Sequence, residues 1–187
     1  MKIVLGSKSP RRREILSMVA SEFEVRVSDC DESYKEDTPL SQVPRILAER
    51  KAQAIDISDG ELVIGCDTVV IYKDELMGKP KDKADAVRML KCLSGTTHQV
   101  ISGICVRTGA KTVSESVVTD VTFRQLSPQE IDTYVEKYNP VDKAGAYGIQ
   151  EAAGAFVKGI SGDFYNVVGL PLCRLCEILK EEFNIIL

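Results

Sequence analysis

The chain has no tryptophan and one histidine, His98. Zinc needs four ligands, so a site built on the Cys173-x-x-Cys176 pair finds too little histidine to complete it. That pair lies in L-C-R-L-C-E-I-L after Pro171, an amphipathic pattern. It reads as helix-face packing, with a redox pair as the other reading. All six cysteines are scattered, which suits reduced thiols in a cytoplasmic protein rather than a disulfide framework. The sequence also lacks an excess of positive charge. Its net charge of −4 excludes broad electrostatic binding to nucleic acid or to an anionic membrane. Any phosphate must be held by cations clustered locally. No apolar run approaches the ~20 residues of a membrane span. Met1 to Leu5 is too short, and too quickly followed by charge, to read as a secretory leader. Aromatics are scarce at 6%, yet the hydrophobic fraction of 44% is ample for a core. One compact domain over 1–187, with room for two lobes, is expected.

Periodicity and punctuation outline the elements. Ile3–Leu5 reads as a strand, Pro10–Val19 as a helix and Phe23–Ser28 as a second strand. Asp29–Thr38 is a polar, acidic loop, and Val43–Ile57 has helical spacing. Leu62–Tyr72 is a long β-rich run that turns at Lys73-Asp74 into Leu76-Met77. Asp82 caps a helix through Leu93, and Val100–Arg107 and Thr112–Phe123 read as paired strands. Ser127-Pro128 opens a helix to about Tyr138. Asn139–Gly162 is irregular, with a short helix at Glu151–Ala153, and Pro171–Phe183 is the last helix. Helices and strands alternate early while the middle strands look antiparallel. The expected fold is α/β with a mixed, largely antiparallel twisted sheet flanked by helices.

The stretch L-G-S-K-S-P-R-R-R, Leu5 to Arg13, concentrates chemistry. Ser9 suits an N-cap and Pro10 the first helical position. Arg11, Arg12 and Arg13 then crowd the first turn, where the helix dipole disfavours each cation by ~0.3–1 kcal/mol. A polyanion bound there would reverse that penalty, and Gly6, Ser7 and Ser9 fit an anion loop. The plainer reading is three solvated arginines.

Asp67 stands inside L-V-I-G-C-D-T-V-V-I, an apolar run where an unpaired carboxylate would cost several kcal/mol. It requires a cation, a metal or a polar cleft, unless the strand bends and Asp67 caps a turn. Gly65 would let a ligand approach the backbone. Glu32, in D-C-D-E-S, is either a solvated loop charge or, with Asp67, the pair of carboxylates that Mg²⁺ takes beside a nucleotide. Lys51 borders the apolar face of its helix and either snorkels or serves the cleft. Lys79, in M-G-K-P, is aimed by a Gly/Pro pair or is an ordinary loop lysine. D-K-A-G-A-Y-G-I-Q, Asp142 to Gln150, suits a loop that moulds around a small ligand, and the Gln150 amide can read a base edge. His98 reads as structural.

In this order the pieces resemble the Maf family of nucleoside triphosphate pyrophosphatases, over essentially the whole chain. The resemblance is carried by G-S-K-S-P-R-R (Gly6–Arg12), Glu32, Lys51-Ala52, G-C-D-T-V-V (Gly65–Val70) and G-K-P (Gly78–Pro80). It continues through L-S-G-T-T-H-Q-V (Leu93–Val100), D-K-A-G-A-Y-G-I-Q and N-V-V-G-L-P (Asn166–Pro171). It implies an ITPase/Maf-like fold with two lobes around a central cleft. It also implies an enzyme that cleaves a nucleoside triphosphate between the α and β phosphates, using Mg²⁺, Mn²⁺ or Co²⁺. Asp67 matches the family's proton acceptor, with metal ligation also open to it. Glu32 matches a metal-side carboxylate, and Ser7, Arg12, Lys51 and Lys79 match phosphate-site residues. Arg11, Thr68 and Gln150 fall at positions that separate subgroups, and their combination resembles the dTTP/UTP branch. The branch acting on 7-methyl-GTP carries a bulky aromatic where Arg11 stands. Tyr138-Asn139 departs from a Gly-Glu pair found in many members. Modified nucleotides (7-methyl-GTP, pseudo-UTP or 5-methyl-UTP) are alternative substrates, and a non-catalytic, nucleotide-binding regulator of septum formation is the reading from another class. The implied partner is a small-molecule nucleoside triphosphate, and the implied assembly a homodimer.

Overall fold

In the computed structural model, residues 1–27 and 29–187 are described. Seven strands form one mixed sheet: β1 (Lys2–Leu5), β2 (Glu24–Val25), β3 (Glu61–Tyr72), β4 (Glu75–Met77), β5 (Thr97–Arg107), β6 (Thr112–Phe123) and β7 (Val157–Ser161). Their order is β2-β1-β3-β5-β6-β7, with β4 paired to β3. The helices are α1 (Pro10–Ser17), α2 (Val43–Gln53), α3 (Lys83–Leu93), α4 (Pro128–Tyr138), α5 (Phe164–Val168) and α6 (Leu172–Phe183). β1 runs parallel to both β2 and β3, whereas β3–β4 and β6–β7 are antiparallel. Thr97 bonds Thr122 and Gln99 bonds Asp120, so β5 and β6 also run in opposite directions. No helix among the described residues is long and apolar enough to cross a membrane.

The chain divides into two compact units. The first comprises Met1–Thr68, Ser102–Val117 and Tyr165–Leu187; the second comprises Val69–Ile101 and Val118–Phe164. In the first unit, alternation along the strands builds two cores. Ile3, Leu5, Leu62, Ile64 and Cys66 face α1 and α6. Val4, Val63 and Cys105 face α2, meeting Ala48, Ala52 and Ile55.

Two glycines bring α2 unusually close to the strands. A Cβ on Gly65 would run into the Ala48 carbonyl and lie 2.9 Å from the Ala52 Cβ. A Cβ on Gly103 would overlap the Pro44 carbonyl. The expectation that Gly65 admits a ligand is therefore corrected: what approaches its backbone is α2.

Most element boundaries follow from capping and pairing. Asp82 accepts from the Asp85 amide at 2.8 Å, and Ser127 and Glu130 form a reciprocal capping box. Lys73 and Asp74 both take left-handed φ, at 47° and 61°, as a two-residue hairpin turn requires. Three expectations are shortened. α1 stops at Ser17 rather than Val19, and α2 stops at Gln53 because Ile55 folds back into the core beside Val63. β2 spans two residues because its partner β1 ends at Leu5, whose carbonyl takes the Arg26 amide as the last bond. Ser28, the expected end of that strand, lies outside the described residues. The irregular 139–162 segment holds 3-10 helices at Ala144–Ala146 and Ala152–Phe156, the second overlapping the short helix expected at Glu151–Ala153 and running on past it, and then β7.

His98 is 2% exposed, with its Nε2 2.8 Å from the Tyr147 hydroxyl and edge-on contacts to the Phe123 and Tyr147 rings. Burial holds its imidazole down to about 4, with Asp120 pulling weakly the other way.

Two predictions follow from this packing. Gly103→Ala should lower stability by about 1–3 kcal/mol in urea unfolding, because backbone rather than a side chain stands in the way. Gly159→Ala, with open space around it, should change stability by under about 0.5 kcal/mol. Separately, the unfolded imidazole titrates near 6.5. Between pH 4 and 6.5 the unfolded state therefore binds more protons, and stability should rise with pH by up to about 3 kcal/mol. His98→Gln should flatten that part of the stability curve.

Candidate active site

The sheet order places β1 between β2 and β3. The chain passes from β1 through α1 to one side and from β2 through α2 to the other. Ligands of open α/β sheets settle at such a switch point, outside the carboxyl end of the strand. Here that end is followed by Gly6-Ser7-Lys8-Ser9. The Gly6 amide donates to the Ile64 carbonyl at 2.8 Å, pinning the start of the loop to β3. Ser9 occupies the N-cap position with extended backbone, but its side chain does not cap the helix. Its amide donates instead to Ser7 Oγ at 3.3 Å.

Arg12 turns back across this loop. Its Nε donates to the Gly169 carbonyl at 2.9 Å, Nη1 to Ser7 Oγ at 3.1 Å and Nη2 to Thr68 Oγ1 at 3.2 Å. All three acceptors are neutral oxygens. They fix the guanidinium without cancelling its charge, which is how a preformed anion site differs from a structural ion pair. Behind it, Thr68 Oγ1 lies 2.9 Å from Ser102 Oγ, which lies 3.2 Å from the Asn166 carbonyl. Arg11 is half-buried in the first turn of α1, and Arg13 is exposed.

Asp67 points to the opposite face of β3, as its odd number demands. Lys51, on α2, reaches it with Nζ 2.6 Å from Oδ1, and the same ammonium is 2.9 Å from Glu32 Oε1. Asp67 and Lys51 are nearly enclosed, with side chains 13% and 19% exposed, whereas Glu32 is 63% exposed. Burial works to lower the Lys51 pKa, but the charges of Asp67 and Glu32 outweigh it and the ammonium is held above its ordinary value. Arg50 holds the loop that carries Glu32, its Nη1 donating to the carbonyls of Asp31 (3.2 Å) and Ser33. The sequence reading missed Arg50, although its position beside Lys51 was the available signal. Ser102 was missed as well, since a serine inside a strand carries no such signal.

The donor set is two carboxylates on one ammonium. A hard divalent ion that takes one or two carboxylates and completes its shell with phosphate oxygens and water suits that set. Among the described residues there is no cluster of three or more His, Cys, Asp or Glu able to hold a metal without such outside ligands.

Lys79 and Gln150 belong to the second unit, and both are exposed. Lys79 follows β4. The Gly145 amide donates to the Gly78 carbonyl at 3.1 Å, tying the 142–150 loop to the one that carries Lys79. Within the longer loop, Lys143 lies 2.8 Å from Asp142 and 3.3 Å from Glu151.

The family described as Maf-like protein matches residues 2–182. A protein of Clostridium novyi (strain NT) named dTTP/UTP pyrophosphatase is 48% identical over 186 residues, spanning 97% of each chain. One of Bacillus anthracis with the same name is 44% identical over 185 residues, covering 98% of this chain and 96% of that one. Among solved structures, a HAM1 protein from Coxiella burnetii superposes with a TM-score of 0.50 at 14% identity, covering 97% of this chain and 99% of that one. That likeness concerns the fold alone.

The Lys51 pair yields a stability prediction. Lys51→Met leaves the enclosed Asp67 carboxylate without its cation and should cost about 3 kcal/mol in urea unfolding. The double variant Lys51→Met/Asp67→Asn should recover most of that loss. Additive losses in the cycle would show that the pair contributes nothing jointly.

Proposed function

The chain belongs to the Maf-like protein family, and from that premise we propose that it hydrolyses dTTP and UTP to the nucleoside monophosphate and pyrophosphate. The observation that carries the reading is the nearly enclosed Asp67–Lys51 pair, with Glu32 on the same ammonium, at the switch point of the sheet. A core that wanted only packing would fill that position with an aliphatic residue.

The reaction adds water to the α phosphorus and expels pyrophosphate. The triphosphate brings about four negative charges, which repel the incoming oxygen. Asp67 has one oxygen committed to Lys51, and its second oxygen takes the proton of the attacking water. Lys51 balances the charge of the Asp67 carboxylate at 2.6 Å and contributes positive charge near the phosphates. Arg12, fixed by neutral oxygens, stabilises the charge that grows on the leaving pyrophosphate. Ser7 and Lys79 are further phosphate-site residues. Glu32, with Asp67 as the alternative to its role as base, would hold Mg²⁺, Mn²⁺ or Co²⁺; such an ion would supply charge neutralisation and polarise the phosphate oxygens. Arg11, Thr68 and Gln150 set the preference for the base. With free nucleotides as substrate, the protein would act in the cytoplasm.

Release of pyrophosphate from a nucleotide panel tests the proposal directly. dTTP and UTP should lead the panel, and activity should vanish with a chelator and return with Mg²⁺ or Mn²⁺. Asp67→Asn should lower turnover about 10³-fold while the protein stays folded by thermal melting, because Lys51 keeps its contact with Glu32. Near wild-type turnover in that variant would remove Asp67 from the mechanism.

A further inference from the structure

The hydroxyls at the two ends of the Arg12 guanidinium are wired with opposite polarity. Ser7 Oγ accepts from Arg12 Nη1 at 3.1 Å and from the Ser9 amide at 3.3 Å. A hydroxyl has two acceptor sites and one hydrogen. Both of Ser7's acceptor sites are used, so its hydrogen is left to give, as an anionic oxygen requires.

Thr68 is the converse case. Its Oγ1 accepts from Arg12 Nη2, and its own hydrogen has two places to go: Ser102 Oγ at 2.9 Å or the Gly169 carbonyl at 3.3 Å. The Gly169 oxygen already receives Arg12 Nε at 2.9 Å and the Cys66 thiol at 3.2 Å, which occupy its two lone pairs. Ser102 is fully buried. Its single hydrogen goes to the Asn166 carbonyl at 3.2 Å, because a carbonyl can only accept. Ser102 must therefore accept from Thr68. The chain of donation runs one way: Arg12 to Thr68, Thr68 to Ser102, Ser102 to Asn166.

We propose that Ser102 is a positioning residue that draws the Thr68 hydrogen inward, so that half-buried Thr68 meets the substrate as an acceptor only and favours a nucleoside that presents a hydrogen-bond donor. This rests on the nucleotide reading above. In a uridine nucleotide the donor is the ring imino N3–H or the sugar 3′-hydroxyl, the two donors that UTP shares with dTTP. Methylation at N3 removes the first, and a 3′-deoxy sugar removes the second. A site that discriminates by leaving a buried polar group unpaired does so more sharply than one that discriminates by shape.

The test compares kcat/KM for UTP, 3-methyl-UTP and 3′-deoxy-UTP. Wild type should lose about tenfold or more on one analogue, and which one identifies the donor. In Ser102→Ala the Thr68 hydrogen is free to turn outward. The penalty on that analogue should then shrink to within about threefold, with kcat for UTP little changed. Ser102→Cys, close in size and a weak acceptor, should shift the ratio in the same direction if the alanine variant folds poorly. Ser102→Thr should restore the ratio even at some loss of stability. In a Thr68→Val background, Ser102→Ala should leave the ratio unmoved. The inference is overturned if wild type shows no penalty on either analogue. It is also overturned if the penalty is equal in wild type and Ser102→Ala, or if the shift persists in the Thr68→Val background. Wild-type protein that releases no pyrophosphate from UTP or dTTP overturns the functional reading and this inference together; wild-type turnover with an unmoved ratio overturns this inference alone.

Discussion

Helix α2 rests directly on the strands because β3 and β5 each present a glycine to it, Gly65 and Gly103. That close approach fixes the height of α2 above the sheet, and Lys51 is carried by the last turn of this helix. Asp67 sits two residues along β3 from Gly65, on the same face. A side chain at either glycine would lift the helix, and Lys51 would lose the 2.6 Å contact that allows a carboxylate in an apolar strand. Backbone contact between helix and sheet therefore sets the position of the charges.

β3 then sorts the polar residues by parity. Asp67 joins Lys51 and Glu32 on the α2 face, while Thr68 joins Arg12, Ser7 and Ser102 on the α1 face. One residue of rise, about 3.3 Å, separates the two groups along the strand. One face carries titratable groups that compensate one another. The other carries a permanent cation held by neutral oxygens. A reaction that must manage a proton and a polyanion at neighbouring atoms finds its two requirements on adjacent residues.

Much of this was legible in the sequence. The apolar run around Asp67 demands a cation beside the carboxylate, and Lys51 fills that demand. The S-x-x-E of Ser127–Glu130 and the Asp82 cap place α4 and α3 closely. β7 was not legible, because V-K-G-I-S has neither alternation nor an apolar run. It exists through its pairing with β6 and is largely exposed. The length of β2 depends on where β1 stops, a fact its own residues do not hold. Gly65 was read as room for a ligand because a strand glycine signals close approach without saying of what. The first-turn arginines pointed to an anion site, but only the three-dimensional structure shows Arg12 turned back onto Ser7, Thr68 and Gly169. Ser102 acts through a neighbour 34 residues away, which no local pattern reveals.

The buried imidazole of His98 has a consequence far from its own packing. It is the chain's one histidine, and it stays neutral down to about pH 4. No other side chain ordinarily changes charge between pH 5 and 8 apart from perturbed thiols. Burial pushes the thiols of Cys30, Cys66, Cys105 and Cys176 upward, away from that interval. Burial thus takes the imidazole and these four thiols out of the range in which cells live, and none of them responds there to a change in acidity.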